Sequence, residues 1–326
     1  MGISRCNKNK PRPSGANHTP AGTTTMRIKN ATIRSIELPS IEKIRPLIEE
    51  QEFKPLGESF RLTAGFEKNE ITGELVTPIP GVGYSFTLRL DEKIIPAAAV
   101  KAATEEKIKQ TEAAENRKVG KKEQREIKDS IILGMIKTAP FKSKKVDIFF
   151  CQDSNKLVIA SSSSSMVKLV EDKVISIRGL ATRAASSGDW KSKITEDLLA
   201  FVEGNKEAFG EFNPGDCVSV KSPEMGKATF NPKSLDYANK GIKEAIEIGM
   251  AVDKIELEFQ TLAFKVKDLD ALASIKDFGE LSEDEKTSRE DLDKAELWRV
   301  ESAVQVLMIL ATHNALIRRY AATKSQ

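Results

Sequence analysis

The sequence predicts an α+β fold of antiparallel sheets with a protruding basic helical pair and a long C-terminal helix. Three observations carry that expectation. Short stretches of alternating apolar and polar residues recur between Gly, Pro and Asn clusters, the pattern of half-buried strands. Two highly charged segments lie on either side of Gly120, the first of them entered at Pro96. A final stretch, residues 289–320, sets Leu297, Val300, Val304, Leu307, Leu310 and Ile317 at helical spacing. Strand and helix patterns are mixed along the chain without a short-period repeat, which favours antiparallel pairing.

Taken in order, residues 28–38 read as a strand and 41–51 as a short helix opened by Pro39-Ser40. Residues 56–66 and 75–90 read as strands separated by turns. Pro96 suits a first helical turn, and a helix is predicted over 97–119. Gly120 interrupts, and a second helix follows over 121–136. On it Lys121, Arg125 and Lys128 stand at i, i+4 and i+7, within about 60° of one another; Glu123 and Glu126 take the other side. From Ile131 to Ile136 the helix is apolar nearly all round, so its end is expected to be buried beneath a protruding basic half. Residues 146–151 and 156–161 alternate on either side of Gln-Asp-Ser-Asn, a hairpin. After a polar loop at 161–165, helices are expected through 166–174 and 195–203. Short strands at 217–221 and 227–230 precede a helix over 240–250 with Ile242, Ile246 and Met250 on one face. A strand pair at 254–260 and 262–267 leads to the terminal helix.

Composition narrows the class. A chain of 326 residues is long enough for two or three packed units, and 40% hydrophobic with 30% charged residues is a globular balance. No apolar run approaches the roughly 20 residues that span a bilayer, and the N-terminus lacks the hydrophobic segment of a secretory signal. Residues 1–25 carry Arg5, Lys8, Lys10 and Arg12 and no acid. They are expected to be a disordered basic arm or leader, with the folded region, two or three subdomains, over 26–326. Cys6, Cys151 and Cys217 are odd in number and widely spaced. They suggest neither a disulfide framework nor a zinc site, and fit a reducing cytoplasm.

The charge is unevenly spread. The whole chain is at formal net +3, so any polyanion site must be local. Between Arg117 and Lys145 there are ten cations: Arg117, Lys118, Lys121, Lys122, Arg125, Lys128, Lys137, Lys142, Lys144 and Lys145. Only Glu123, Glu126 and Asp129 oppose them inside the stretch, with Asp147 just beyond. Positive charge concentrated on rigid elements is the footprint of a polyanion site, most often nucleic acid, because each neutralised phosphate releases condensed counterions. A charge run is more often a solvated helix face. The acid-free interval from Lys137 to Lys145 is what argues otherwise here. Phe141 lies within it, where an aromatic ring can stack on or wedge between bases; the ordinary alternative is a core residue plugging the helix-to-strand turn.

Catalytic chemistry is thin. His18 and His313 are the two histidines, far apart, and nominate no Ser-His-Asp set. Glu256 and Glu258 share one strand face, and a nuclease needs clustered carboxylates to hold Mg²⁺. No Asp…Glu-x-Lys arrangement surrounds them, so exposed strand polarity is the expectation. Gly226-Lys227 lacks the spacing of a P-loop, and Gly81-Val-Gly83 stands alone. No catalytic residue, metal ligand or cofactor is nominated. Two alternatives stay open: a metal-dependent exonuclease or its accessory subunit, and a structural protein whose basic helices meet an acidic protein.

The segment Arg89-x-Asp91-Glu92-Lys93-Ile94-Ile95-Pro96, followed by Val100-Lys101 and the charged helix pair, resembles the RdgC family of recombination-associated DNA-binding proteins. Phe53-x-Pro55-x-Gly57, Gly65-Phe66, the 146–161 hairpin, and Gly249 and Lys254 ahead of the strand at 257–259 occur in the family's order. The resemblance extends over residues 26–320. It implies a ring-forming subunit, a homodimer whose positive central hole encircles duplex DNA without sequence preference. It also implies limitation of RecA-type recombinase action, in the cytoplasm and on the nucleoid. Arg89 would join the ten cations as a DNA contact, and Phe141 would be the aromatic at a finger-like tip. Where the family has Pro-Arg-x-Phe, this chain reads Lys137-Thr138-Ala139-Pro140-Phe141, so Lys137 would stand in for the arginine; Met250 replaces a family lysine after Gly249.

Overall fold

A computed structural model of the chain describes residues 27–178, 183–184, 189–230, 240–277, 279, 287, 289 and 292–321. The expected basic arm at 1–25 lies outside these residues. The strands are β1 (Ala31–Ser35), β2 (Leu62–Glu67), β3 (Thr77–Ile79), β4 (Gly83–Lys93), β5 (Phe141–Cys151) and β6 (Lys156–Ile159), then β7 (Asn213–Ser222), β8 (Gly226–Phe230), β9 (Ala251–Phe259), β10 (Leu262–Asp268) and β11 (Ala271–Asp277). The helices are α1 (Ile41–Glu49), α2 (Ala97–Glu115), α3 (Lys121–Thr138), α4 (Ser164–Arg178), α5 (Trp190–Val202), α6 (Lys240–Glu247) and α7 (Lys294–Tyr320). The fold is α+β, and among the described residues the named strands all pair antiparallel, with one isolated parallel bridge between Glu52 and Phe66 of β2. One sheet runs in the order β2-β4-β5-β6-β1-β11-β10-β9-β7-β8, with β3 pairing β4.

Period-2 alternation sorts side chains onto two cores. On β5 and β6, Ile148, Phe150, Leu157 and Ile159 join a cluster with Ile44 and Ile48 of α1 and Val167, Val170 and Val174 of α4. Their neighbours Phe149, Cys151 and Val158 face the opposite way, into the larger cluster built on α5, α6 and α7. This half of the sheet is therefore covered on both faces. β7, β9 and β10 contribute Val218, Ile255, Leu257 and Phe264 to the larger cluster. Glu256 and Glu258 alternate outwards, and Glu256 meets Lys265 at 3.6 Å, the strand polarity expected.

Several boundaries depart from the sequence reading. α2 ends at Glu115 because Asn116 turns left-handed (φ 49°), four residues before Gly120, which instead precedes α3. β5 begins at Phe141, not 146: Lys-Ser-Lys-Lys has no apolar alternation, but the long β4 supplies a ladder partner for each residue. β11 was not anticipated; its Ala-Leu-Ala-Ser pattern is weak, and it is held by pairing with β10 and β1. The end of α3 is not buried all round, since Leu133 is 60% exposed and only Ile136 is counted buried.

α7 starts at Lys294 through a capping box: Asp293 accepts from the Ala295 and Glu296 N–H groups at 2.8 Å, and Glu296 reaches back to the Asp293 N–H. Its buried face is not the predicted stripe. Leu310 is buried and Leu297, Val300 and Ile317 partly so, whereas Val304 and Leu307 point outwards. Apolar residues surround this helix, and the sheet selects the side bearing Trp298, Val306, Ile309 and Leu316 together with small and polar groups that have partners. Trp298 stacks on Phe149, and Gln305 accepts from the backbone N–H of Arg27 and Ile28. Contrary to the expectation from apolar runs, α7 is by length and composition able to cross a membrane, but 56% of its most apolar stretch is buried inside the protein.

Candidate nucleic-acid interface

The helical arm grows from the end of the sheet where β4 and β5 outrun their core. Opposite residues share a face, so Phe141, Ser143 and Lys145 lie with Lys93, Asp91 and Arg89, while Lys142 and Lys144 lie with Glu92 and Leu90. Lys93 is buried and donates to the carbonyls of Glu58 (2.8 Å) and Ile136 (2.6 Å). Ile136 is in the last turn of α3, whose end carries unsatisfied carbonyls and the negative pole of the helix. Lys93 thus fastens the base of the arm to the sheet. Ile94 N–H donates to the Pro140 carbonyl at 2.7 Å and closes the same junction.

Arg89 belongs to this scaffold. Its guanidinium donates to both oxygens of Asp91 (2.8 and 2.9 Å) and to Glu67 (2.8 Å), and lies 4.4 Å from the Phe53 ring centroid. These hydrogen bonds to Asp91 and Glu67 raise its pKa. Burial alone would raise the Asp91 carboxyl, but Arg89 and Ser143 hold it below its ordinary value. Lys145 bridges Glu67 and Glu70, both at 2.6 Å, and those hydrogen bonds raise its pKa. Arg117 pairs with Glu115 and Glu123 across the α2–α3 connection. These three cations are therefore already engaged by carboxylates.

The others are differently placed. Among the described residues, Lys118, Lys121, Lys122, Arg125, Lys128, Lys137, Lys142 and Lys144 make no ion pair, and all are exposed. Lys121, Arg125 and Lys128 follow one edge of α3, as their spacing predicts. Beside Lys128 a cleft of about 520 Å³ between α2 and α3 also takes in Arg61, Gln124 and the Lys101–Glu105 pair (3.8 Å) over an apolar floor of Val100, Ile108 and Ile132. Arg61 and Lys101 were missed in the sequence: neither lies in the charge run, and only the fold brings Arg61 to the arm. The opposite cleft, about 550 Å³, is lined by Glu106, Glu123 and Glu126 with Lys107. Three carboxylates line this second cleft and one, Glu105, lines the first, so acidic groups are denser on one side of the helix pair. Phe141 is 54% exposed, so it is no core plug; it stands on the surface between Lys137 and Lys142.

Asp147, just past the cations, is partly buried beneath Thr87, which donates to it at 2.7 Å; burial pushes its carboxyl above the ordinary value. Among the described residues no group of three His, Cys, Asp or Glu is arranged to hold a metal ion.

The family profile described as "Putative exonuclease, RdgC" matches residues 26–318. A Recombination-associated protein RdgC from Shewanella halifaxensis (strain HAW-EB4) is 26% identical over 270 residues, 80% of this chain and 87% of the relative. Its counterpart from Proteus mirabilis (strain HI4320) is 24% identical over 249 residues, covering 76% and 80%. That from Shewanella loihica (strain ATCC BAA-1088 / PV-4) reaches 28% over 175 residues, 53% of this chain and 57% of the relative. With a match over most of its length, the chain belongs to the RdgC family.

Proposed function

We propose that this protein binds DNA without sequence preference and modulates homologous recombination, limiting the access of a RecA-type recombinase to DNA. The observation that supports it best is the set of exposed cations, unpaired among the described residues, that runs from the α2–α3 connection along α3 to the start of β5, on an arm that Lys93 fixes to the sheet. Lys118, Lys121, Lys122, Arg125, Lys128, Lys137, Lys142 and Lys144 are the phosphate contacts in this reading, with Phe141 stacking beside them. Arg89, Arg117 and Lys145 act through the scaffold that presents the others. Phosphate contacts fix position and carry no base information, so affinity should be similar on unrelated sequences.

The working unit in this reading is a homodimer closed into a ring around duplex DNA, in the cytoplasm at the nucleoid. The ring is taken from the family, since the net charge of +3 gives little long-range attraction and enclosure would compensate. Retention in high salt should then be greater on closed circular DNA than on the same DNA linearised, because a ring leaves a linear duplex by sliding off its end. A strictly monomeric protein with equal salt sensitivity on both forms would rule the ring out.

The family description favours a second reading, a metal-dependent exonuclease or an accessory subunit of one. Glu256 and Glu258 are the carboxylates nearest to that chemistry in the sequence, and Glu256 is engaged by Lys265. Degradation of DNA with Mg²⁺ or Mn²⁺ that is lost in Glu256→Ala or Glu258→Ala would establish it in place of the first.

A further inference from the structure

The sheet has a seam. β1 joins β11 through only two register pairs, Ala31 with Leu272 and Thr32 with Ala271, whereas β4 and β5 share eleven. Two further backbone bonds cross the seam: Ile33 N–H to the Asp270 carbonyl and Ile275 N–H to the Lys29 carbonyl, both 2.8 Å. α7 lies over it and inserts His313, which is fully buried, between the two sides. His313 Nε2 is 3.0 Å from Asp270 Oδ1, at the β10–β11 turn. Its Nδ1 is 3.3 Å from Lys156 Nζ, at the start of β6. One side chain therefore touches a charged group from each half of the sheet.

The partners dictate the protonation state. An ammonium has donors and no acceptor, so the Nδ1 facing Lys156 presents its lone pair, and Nε2 carries the proton donated to Asp270. The imidazole in this arrangement is neutral. A second proton would set an N–H against the Lys156 ammonium, on an imidazole that is itself fully buried. Burial lowers the His313 pKa; the hydrogen bond with Asp270 opposes that, and the charges of Lys156 and of Arg34 on β1 add to it. Arg34 is itself paired with Glu171 of α4 at 2.7 Å, and Lys156 also donates to Asn314 of α7.

We propose that His313 is a proton-sensitive latch across the β1–β11 seam: neutral, it ties both halves of the sheet to α7; protonated, it loosens them. The sign follows from linkage. A histidine with a lowered pKa in the fold takes up its proton more readily when that site opens, so the contribution is complete above the ordinary histidine value and is lost as pH falls below it.

In full-length protein labelled at histidine Cε1, with the His313 signal assigned through its loss in His313→Gln, NMR titration should show His313 titrating below the ordinary histidine value. Hydrogen exchange, corrected for its intrinsic pH dependence, should show Ile33 and Ile275 amides losing protection as His313 protonates, while β4–β5 amides keep theirs. His313→Gln should abolish that pH dependence. Lys156→Met, which keeps the stem and removes the charge, should move the His313 titration upwards. A His313 titration at or above the ordinary histidine value, seam amides indifferent to its protonation, or a titration unmoved by Lys156→Met would overturn the latch.

Discussion

α3 and α7 are both long helices with many apolar residues, yet they stand at opposite ends of a scale. Within α7 twelve residues are buried, among them His313, Gln305 and Thr312, while α3 buries Ile136 alone. The difference lies in what surrounds each helix. α7 lies against the sheet and α5, so even its polar groups are enclosed and need partners, which Asp270 and the Arg27 and Ile28 amides supply. α3 is held at its base by Lys93 and leans on α2, leaving Leu133 and a row of cations in solvent. A helix kept this exposed gains little stability from packing; its surface chemistry is the part that can act on a partner.

That contrast can be broken by substitution. The largest effect is expected in α7: Leu316→Ala should cost about 2–5 kcal/mol in a urea melt, whereas Leu133→Ala in α3 should stay within about 0.5 kcal/mol. Equal losses would mean the two helices are packed alike. Next comes Lys93→Met, which removes a charged donor from two carbonyls and should cost on the order of 2 kcal/mol. Amide exchange should rise first in α3, since that helix loses its anchor. Phe141→Ala should change stability by less than about 1 kcal/mol, well short of the roughly 3–5 kcal/mol for a buried phenylalanine. If the ring stacks on bases, the same variant should weaken DNA binding by about 1–3 kcal/mol. The smallest effect is at Asp147. Burial raises its folded pKa, so its contribution to stability is present in acid and lost as pH rises through that value. Asp147→Asn, fixed in the neutral form, should be the more stable protein at pH 7 and lose its advantage in acid.

Much of this was legible in the sequence, for identifiable reasons. Helices α1, α2 and α3 and the β5–β6 hairpin follow from proline and glycine placement and from period; their existence and order match those signals, while α2 stops at Glu115 and β5 starts earlier, at Phe141. The cation row on α3 follows from spacing alone. What escaped depended on distant partners. β5 extends through Lys142–Lys145 because β4 is there to pair with it, and β11 forms on the edges of β10 and β1. Nothing in the run from Arg117 to Lys145 distinguishes Lys145 from Lys144. The register does: Lys145 faces Glu67 and Glu70, and its neighbour faces away. Arg89-x-Asp91 and Lys93 were visible as a motif, but their roles, a bidentate pair and a helix anchor, needed the sheet and the arm together.

The distinction between free and engaged cations is also the most direct test of the account. Salt dependence of duplex binding should be compared for two variants of equal charge change: Lys121, Lys122 and Arg125 each replaced by Gln, and Arg89, Arg117 and Lys145 each replaced by Gln. The log–log slope should flatten by up to about 0.9 per lost phosphate contact in the α3 variant. The second variant, if folded by its circular dichroism, should keep a slope close to that of the parent. An unchanged slope in the α3 variant would contradict the account and leave those cations as a solvated helix face.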